Sequence, residues 1–167
     1  RYKTAQLKEQ VGAKVSTMAV TKRDGNKEDI SLEKITNRIS VLSNGLEIDP
    51  ITIAQKAIQG LYDGITTNEI DTYLAETAAA LTVEHPDYSY LAGRIKANAL
   101  HKETPGFVIA TKNLFEDGLL REEYHQKVMA NAEEIEKIID YDRDYLFDYF
   151  ALTTLFRAYL LQFNSKV

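Results

Sequence analysis

Lys22 and Arg23 stand directly before an Asp24-Gly25 pair, Lys34 follows twelve residues after Lys22, and His101-Lys102 lie well downstream. Thr66 and Thr67 open an apolar-periodic stretch, where the free backbone N–H groups and the dipole of a helix favour an anion. If a hairpin tip and these helix ends converge, several cations and one helix N-terminus would hold a polyphosphate. The same residues also read as surface lysines and ordinary caps. Residue types alone leave both readings open.

Other chemistries are poorly served. The 167 residues contain no cysteine, which excludes disulfides, thiolate metal sites, cysteine nucleophiles and thiyl radicals within this sequence. Three histidines, His85, His101 and His125, are too scattered for a metal site. No P-loop, dinucleotide-binding glycine pattern, G-x-S-x-G or H-E-x-x-H occurs. No catalytic residue and no metal ligand is assigned.

At 44% hydrophobic, 27% charged and a net charge of -5, the composition is that of an ordinary soluble domain. The chain is long enough for a core without staples. Charge is uneven: residues 1–38 carry nine Lys/Arg against five Asp/Glu, and the rest eleven against twenty. A basic start on an acidic molecule points to an anionic partner there, or to a solvated surface with chance asymmetry. An acidic pI of about 5.3 argues against a duplex-binding surface. The longest apolar-leaning run, residues 75–83, is far short of the ~20 residues of a membrane span. No signal-peptide pattern opens the chain and its first residue is not Met, so a cytoplasmic protein, cut from a longer one or with its first residues missing, is expected.

The elements that must position these residues are mostly helical. Residues 1–17 read as a short helix or an arm. Met18 to Ser31 reads as a β-hairpin, with Asp24-Gly25 predicting a type I′ turn. Four helices are predicted next. Ser31 caps the first, with Leu32, Ile35, Ile39 and Leu42 at helical spacing. Asp49-Pro50 opens the second, and Thr66 with Glu69 forms a capping box for the third. Pro86 opens the fourth, which Thr104-Pro105-Gly106 stops. A linker-like stretch follows around Phe107-Val108-Ile109. Residues 122–139 predict one exposed helix, an aromatic-rich segment spans 141–159, and Tyr159-Leu160-Leu161 reads as a strand.

Three strings carry a family likeness. They are Val20-Thr21-Lys22-Arg23-Asp24-Gly25 with Glu28 and Leu32-x-Lys34-Ile35-x-x-Arg38-Ile39; Gly60-Leu61-Tyr62-Asp63-Gly64-Ile65-Thr66-Thr67-x-Glu69-Ile70-Asp71; and His85-Pro86-Asp87-Tyr88-x-x-Leu91-Ala92-x-Arg94-Ile95 with Leu100-His101-Lys102. In this order they resemble an ATP-cone domain. Tyr141-Asp142-Arg143-Asp144-Tyr145, Phe147-x-Tyr149-Phe150 and Thr154-Leu155-x-Arg157-x-Tyr159-Leu160-Leu161 resemble the start of the catalytic region of class I ribonucleotide reductase large subunits, in the eukaryotic-like branch. A mainly α fold is implied: a β-hairpin lid on a four-helix cone, then helices that begin the reductase catalytic domain. The implied divisions are an N-terminal extension over 1–17, an ATP-cone over 18–106 and the catalytic domain's first helices over 107–167.

The resemblance implies an overall-activity site, at which ATP permits and dATP inhibits the reduction of ribonucleoside diphosphates. The effector acts with Mg²⁺, through self-association of large subunits that also work with a small subunit. Neither nucleic acid nor membrane is an implied partner. The catalytic cysteines are absent, so this piece is expected to be inactive alone. Residue by residue, the resemblance carries Lys22 and Arg23 to the phosphates, Glu28 to the adenine amine, Lys34 and Ile35 to the nucleotide's flank, Thr67 to a helix-cap hydroxyl, Asp71 to the sugar and Lys102 to the distal phosphate. Asp71 reads equally as an exposed helix acid. Ser31 stands where relatives often place a larger side chain against the base, which would alter affinity or ATP/dATP discrimination. Two rivals are a degenerate cone that only mediates subunit contacts and a free-standing nucleotide-responsive regulator.

Overall fold

Ala19–Thr21 (β1) and Lys27–Asp29 (β2) pair antiparallel, with Val20 opposite Glu28. In this computed structural model, which describes residues 18–161, the hairpin is followed by four helices, α1 (Leu32–Leu42), α2 (Pro50–Ile58), α3 (Thr67–Ala80) and α4 (Asp87–Glu103). The reading of residues 1–17 lies outside the described residues. The fold is mainly α with a two-stranded hairpin, as the spacing predicts.

The hairpin turn differs from expectation. Gly25 donates its N–H to the Lys22 carbonyl at 3.0 Å, and Lys22 donates to Asn26 at 2.8 Å. Gly25 takes φ +83°. This is a three-residue loop with a left-handed glycine, not a two-residue type I′ turn. Asp24 explains the choice: its carboxylate accepts from the Asn26 backbone N–H at 2.9 Å and from the Asn26 amide at 2.8 Å. That local pairing lengthens the loop by one residue.

The caps form as the sequence requires. Ser31 accepts from the Lys34 N–H, Asp49 accepts from Ile51 ahead of Pro50, and Thr66 and Glu69 complete a reciprocal capping box. Ile39, Ile53, Ile65, Leu74, Leu91 and Ile95 are fully enclosed between these helices. Each such side chain contributes about 1.5–3 kcal/mol by leaving water. This core fixes α1, α3 and α4 relative to one another, and so fixes the walls of the site.

The second half departs more from expectation. The linker-like stretch is helix α5 (Phe107–Glu116). Its first N–H groups are capped from far along the chain, Phe107 by the Tyr141 hydroxyl at 3.1 Å and Val108 by Glu136 at 3.1 Å. The single exposed helix is two, α6 (Glu122–Ala130) and α7 (Ala132–Ile138). They break at Asn131, whose backbone leaves the helical region and whose amide donates to the Lys127 carbonyl at 2.8 Å. A 3₁₀ segment at Tyr141–Leu146 leads to α8 (Tyr149–Ala158). Tyr159 to Leu161 form no strand: the N–H groups of Tyr159 and Leu160 both return to the Leu155 carbonyl and close the helix.

The aromatic-rich segment packs on α4. Gly93 allows this contact, because a Cβ there would lie 2.3 Å from the Phe147 carbonyl oxygen. Several apolar side chains of this half stay open to solvent, among them Ile138, Leu146, Phe150 and Tyr159.

Candidate functional site

The hairpin is tied by its backbone to the start of α3. Thr21 donates to the Ile65 carbonyl at 2.9 Å, and Gly64 donates to the Ala19 carbonyl at 2.8 Å. The Asp63 carboxylate accepts from the Ala19 N–H at 2.8 Å. These bonds hang the turn over the N-terminus of α3. Below it lies a cavity of about 230 Å³, closed by the first turns of α1 and α3 and by the last turn of α4.

All eight sequence-predicted residues line this cavity: Lys22, Arg23 and Glu28 from the hairpin, Lys34 and Ile35 from α1, Thr67 and Asp71 from α3, and Lys102 from α4. Residue types predict the convergence poorly, since Lys22 and Lys102 are eighty residues apart. The capping box and the hairpin docking create it.

Thr67 is the first helical residue, not the cap. The cap is Thr66, whose hydroxyl is committed to Glu69. Thr67 lines the cavity. Ser31 also lines the cavity, while its side-chain oxygen caps α1 by accepting from Lys34 at 3.2 Å.

Asp71 is no exposed helix acid. Its side chain is 4% exposed and bridges two guanidinium groups, that of Arg38 and that of Arg23 at 3.0 Å. Arg23 also reaches Glu103 at 3.3 Å, which ties the hairpin tip to α4. In the sequence Arg38 stands out only as part of a motif. It stands four residues after Lys34, so one face of α1 presents both cations. Its Nη2 is buried and has no hydrogen-bond partner among the described residues.

Five cations therefore face the cavity, Lys22, Arg23, Lys34, Arg38 and Lys102, against three acids, Glu28, Asp29 and Asp71. Glu28 is claimed by Lys22 and Lys34, whose ammonium groups hold its carboxyl down at about 2. The same bond raises Lys22 above the ordinary lysine value. Carbon-13 NMR titration of the Glu28 carboxyl is expected to give a midpoint near this value, and Lys22→Ala should move it upward. A midpoint at 4.5 in the parent protein would mean that the triad does not form in solution.

Lys102 behaves differently. Burial pushes its ammonium below the ordinary value, and the nearby Arg38 and Arg23 push the same way, with Asp71 opposing. A lysine that is short of negative charge and faces a cavity is prepared for an anion. Val20, Ile30, Ile35, Ile70 and Leu74 supply an apolar lining beside these charges. The cavity can thus accept a ligand with one weakly polar part and one polyanionic part. Among the described residues no group of three or more His, Asp and Glu could hold a metal ion, and no helix is long and apolar enough to cross a membrane.

Comparison with known proteins gives the same region a family. A family model described as the ATP cone domain matches residues 18–103. The chain is 42% identical over 92% of its length to a protein of Dictyostelium discoideum named ribonucleoside-diphosphate reductase large subunit. It is 43% identical over 89% of its length to the protein of that name from Caenorhabditis elegans, and 42% over 90% to that from Variola virus. The chain spans about a fifth of the length of these relatives. The likeness continues past α4, into residues where no cone is expected. Because the family model runs from the first strand to the last residue of α4, more than half of the chain, this protein belongs to the ATP cone domain family.

Proposed function

We propose that this chain is the adenine-nucleotide sensor of a ribonucleoside-diphosphate reductase large subunit, with residues 18–106 forming the cone and residues 107–167 beginning the catalytic domain. The observation that carries the reading is the excess of five cations over three acids around a cavity with apolar walls. The open apolar side chains at Ile138, Leu146 and Phe150 support the second part, because they fit a segment that continues into a larger core.

ATP and dATP bind with the polyphosphate toward Lys22, Arg23 and Lys102, and with Mg²⁺ as its counter-ion. Phosphate oxygens draw Lys22 and Lys34 away from Glu28. The freed carboxylate then accepts from the adenine amino group, which guanine lacks at that position. Ile35 flanks the base, Thr67 offers its hydroxyl, and Asp71 senses the sugar. ATP permits and dATP inhibits the reductase by favouring different assembly states of the large subunit, which requires each nucleotide to bind those states unequally. The thiyl chemistry and the small-subunit partner belong to the rest of the large subunit.

Titration calorimetry of this chain with ATP, dATP and GTP, each with Mg²⁺, tests the reading. Saturable binding of both adenine nucleotides and weak binding of GTP are expected. Glu28→Ala should narrow the gap to GTP by about tenfold, the value of one hydrogen bond to a charged group. A folded sample that binds no nucleotide would leave a cone that serves subunit contacts alone.

A further inference from the structure

Arg38 is held from two sides. Its Nη1 donates to the Asp71 carboxylate inside the cavity wall. Its Nε donates at 3.0 Å to the Asn98 Oδ1 on α4. Asn98 in turn donates its Nδ2 to the Tyr145 hydroxyl at 3.3 Å. Tyr145 belongs to the 3₁₀ segment 141–146, forty-seven residues beyond Asn98 and outside the family match at residues 18–103. A chain of side-chain hydrogen bonds therefore runs from the cavity to an element that follows the cone.

The chemistry of the three groups fixes its direction. A guanidinium only donates, so Asn98 must turn its oxygen to Arg38. Its amide nitrogen must then face Tyr145, whose oxygen accepts. Turning the Asn98 amide over would set donor against donor at Arg38. The Tyr145 ring is held in turn by its edge-on contact with His101, 5.6 Å between centroids, and His101 pairs with Asp144 at 2.8 Å. Segment 141–146 is thus locked on α4 beside Lys102.

We propose that Asn98 and Tyr145 are positioning residues of the nucleotide cavity: through the Arg38 guanidinium, the segment after the cone sets how tightly the cone holds its nucleotide. This rests on reading the cavity as a nucleotide site. Arg38 is the one cavity cation that carries a buried nitrogen without a partner among the described residues. Arg38 lines the cavity, and a guanidinium locked at Nε and Nη1 holds its charge in a fixed place in that wall; preorganised groups lose less entropy on binding. By reciprocity, nucleotide binding tightens the hold on segment 141–146.

The test uses the full 167-residue chain. Tyr145→Phe keeps the ring against His101 and removes the hydroxyl alone. Asn98→Ala removes both bonds, and Asn98→Asp keeps an acceptor for Arg38. Calorimetry with ATP and Mg²⁺ should show about three- to tenfold weaker binding for Tyr145→Phe and Asn98→Ala, with Asn98→Asp close to the parent. Adding Tyr145→Phe to Asn98→Ala should cost nothing more, since the two act through one path. Parent-like affinity in Tyr145→Phe, or fully additive effects, would overturn the proposal. The Arg38 Nε–H resonance gives a second readout without nucleotide: Tyr145→Phe should shift it and speed its exchange with solvent. If the parent chain binds no nucleotide, the site reading fails. An unmoved resonance would then overturn the positioning of Arg38 as well, whereas a moved one upholds it.

Discussion

Asp71→Asn is expected to lower the unfolding free energy by about 2–3 kcal/mol, less than for a fully enclosed pair because both arginines are about a quarter exposed. The substitution changes almost no volume. It leaves two guanidinium groups around a side chain with a single acceptor atom. One arginine keeps a bond, and the other meets an amide N–H. Arg23 keeps a second carboxylate in Glu103, whereas Arg38 keeps only the neutral Asn98 amide at Nε, so Arg38 carries most of the loss. Urea denaturation reads the effect as a lower midpoint at unchanged slope. The nucleotide response should move in a different way. Removing a negative charge from the wall raises the attraction for polyphosphate, so ATP affinity holds or improves. On the proposed placement of Asp71 beside the sugar, dATP binding should change more than ATP binding. Unchanged stability would show that the arginine clamp is weak in solution. An equal loss of both nucleotides would reduce Asp71 to a structural role.

Asp71 also shows what the sequence could and could not convey. Helical spacing and the Thr66–Glu69 capping box are local signals, and they located α3 well. The burial of Asp71 depends on Arg23, forty-eight residues before it, and on Arg38, thirty-three before it. No local pattern contains such a pair. The family resemblance named the position, but the residue types left it as an ordinary helix acid. The hairpin is legible for the same local reason, while its turn departs from the expected type because the Asp24–Asn26 pairing outweighs the Asp-Gly preference for a two-residue loop. Past α4 the local signals weaken. Helix α5 depends on donors capped by Glu136 and Tyr141, so its N-terminus is a tertiary feature. The break at Asn131 is a single-residue event inside an otherwise periodic stretch. Arg38 lies in the first of the three motifs, four residues after Lys34, and that helical spacing is the signal that places it in the site.

Lys102→Met should weaken ATP and dATP alike by about 10–100-fold, the range for one charge-assisted bond to phosphate. Met keeps most of the apolar stem, so lost packing contributes little. The stability of the free protein should move the other way. Burial and two arginines penalise the Lys102 ammonium, and the variant removes that penalty, so its melting temperature should rise. Loss of binding with gain of stability separates a ligand-holding lysine from a structural one, whose removal would lower both. The pH dependence has a fixed sign. The folded-state value lies below the ordinary 10.5, so in the window between the two the unfolded chain binds more protons. Stability of the parent therefore rises with pH across that window, and this contribution is missing in Lys102→Met. Bound phosphate favours the charged ammonium and moves its value back up. Nucleotide binding in that window should then take up a proton, and affinity should fall as pH rises. Calorimetry in two buffers of different ionisation enthalpy measures the uptake. A proton count of zero throughout the window, with affinity still lost in Lys102→Met, would assign the lysine's effect to shape and remove its charge from the account.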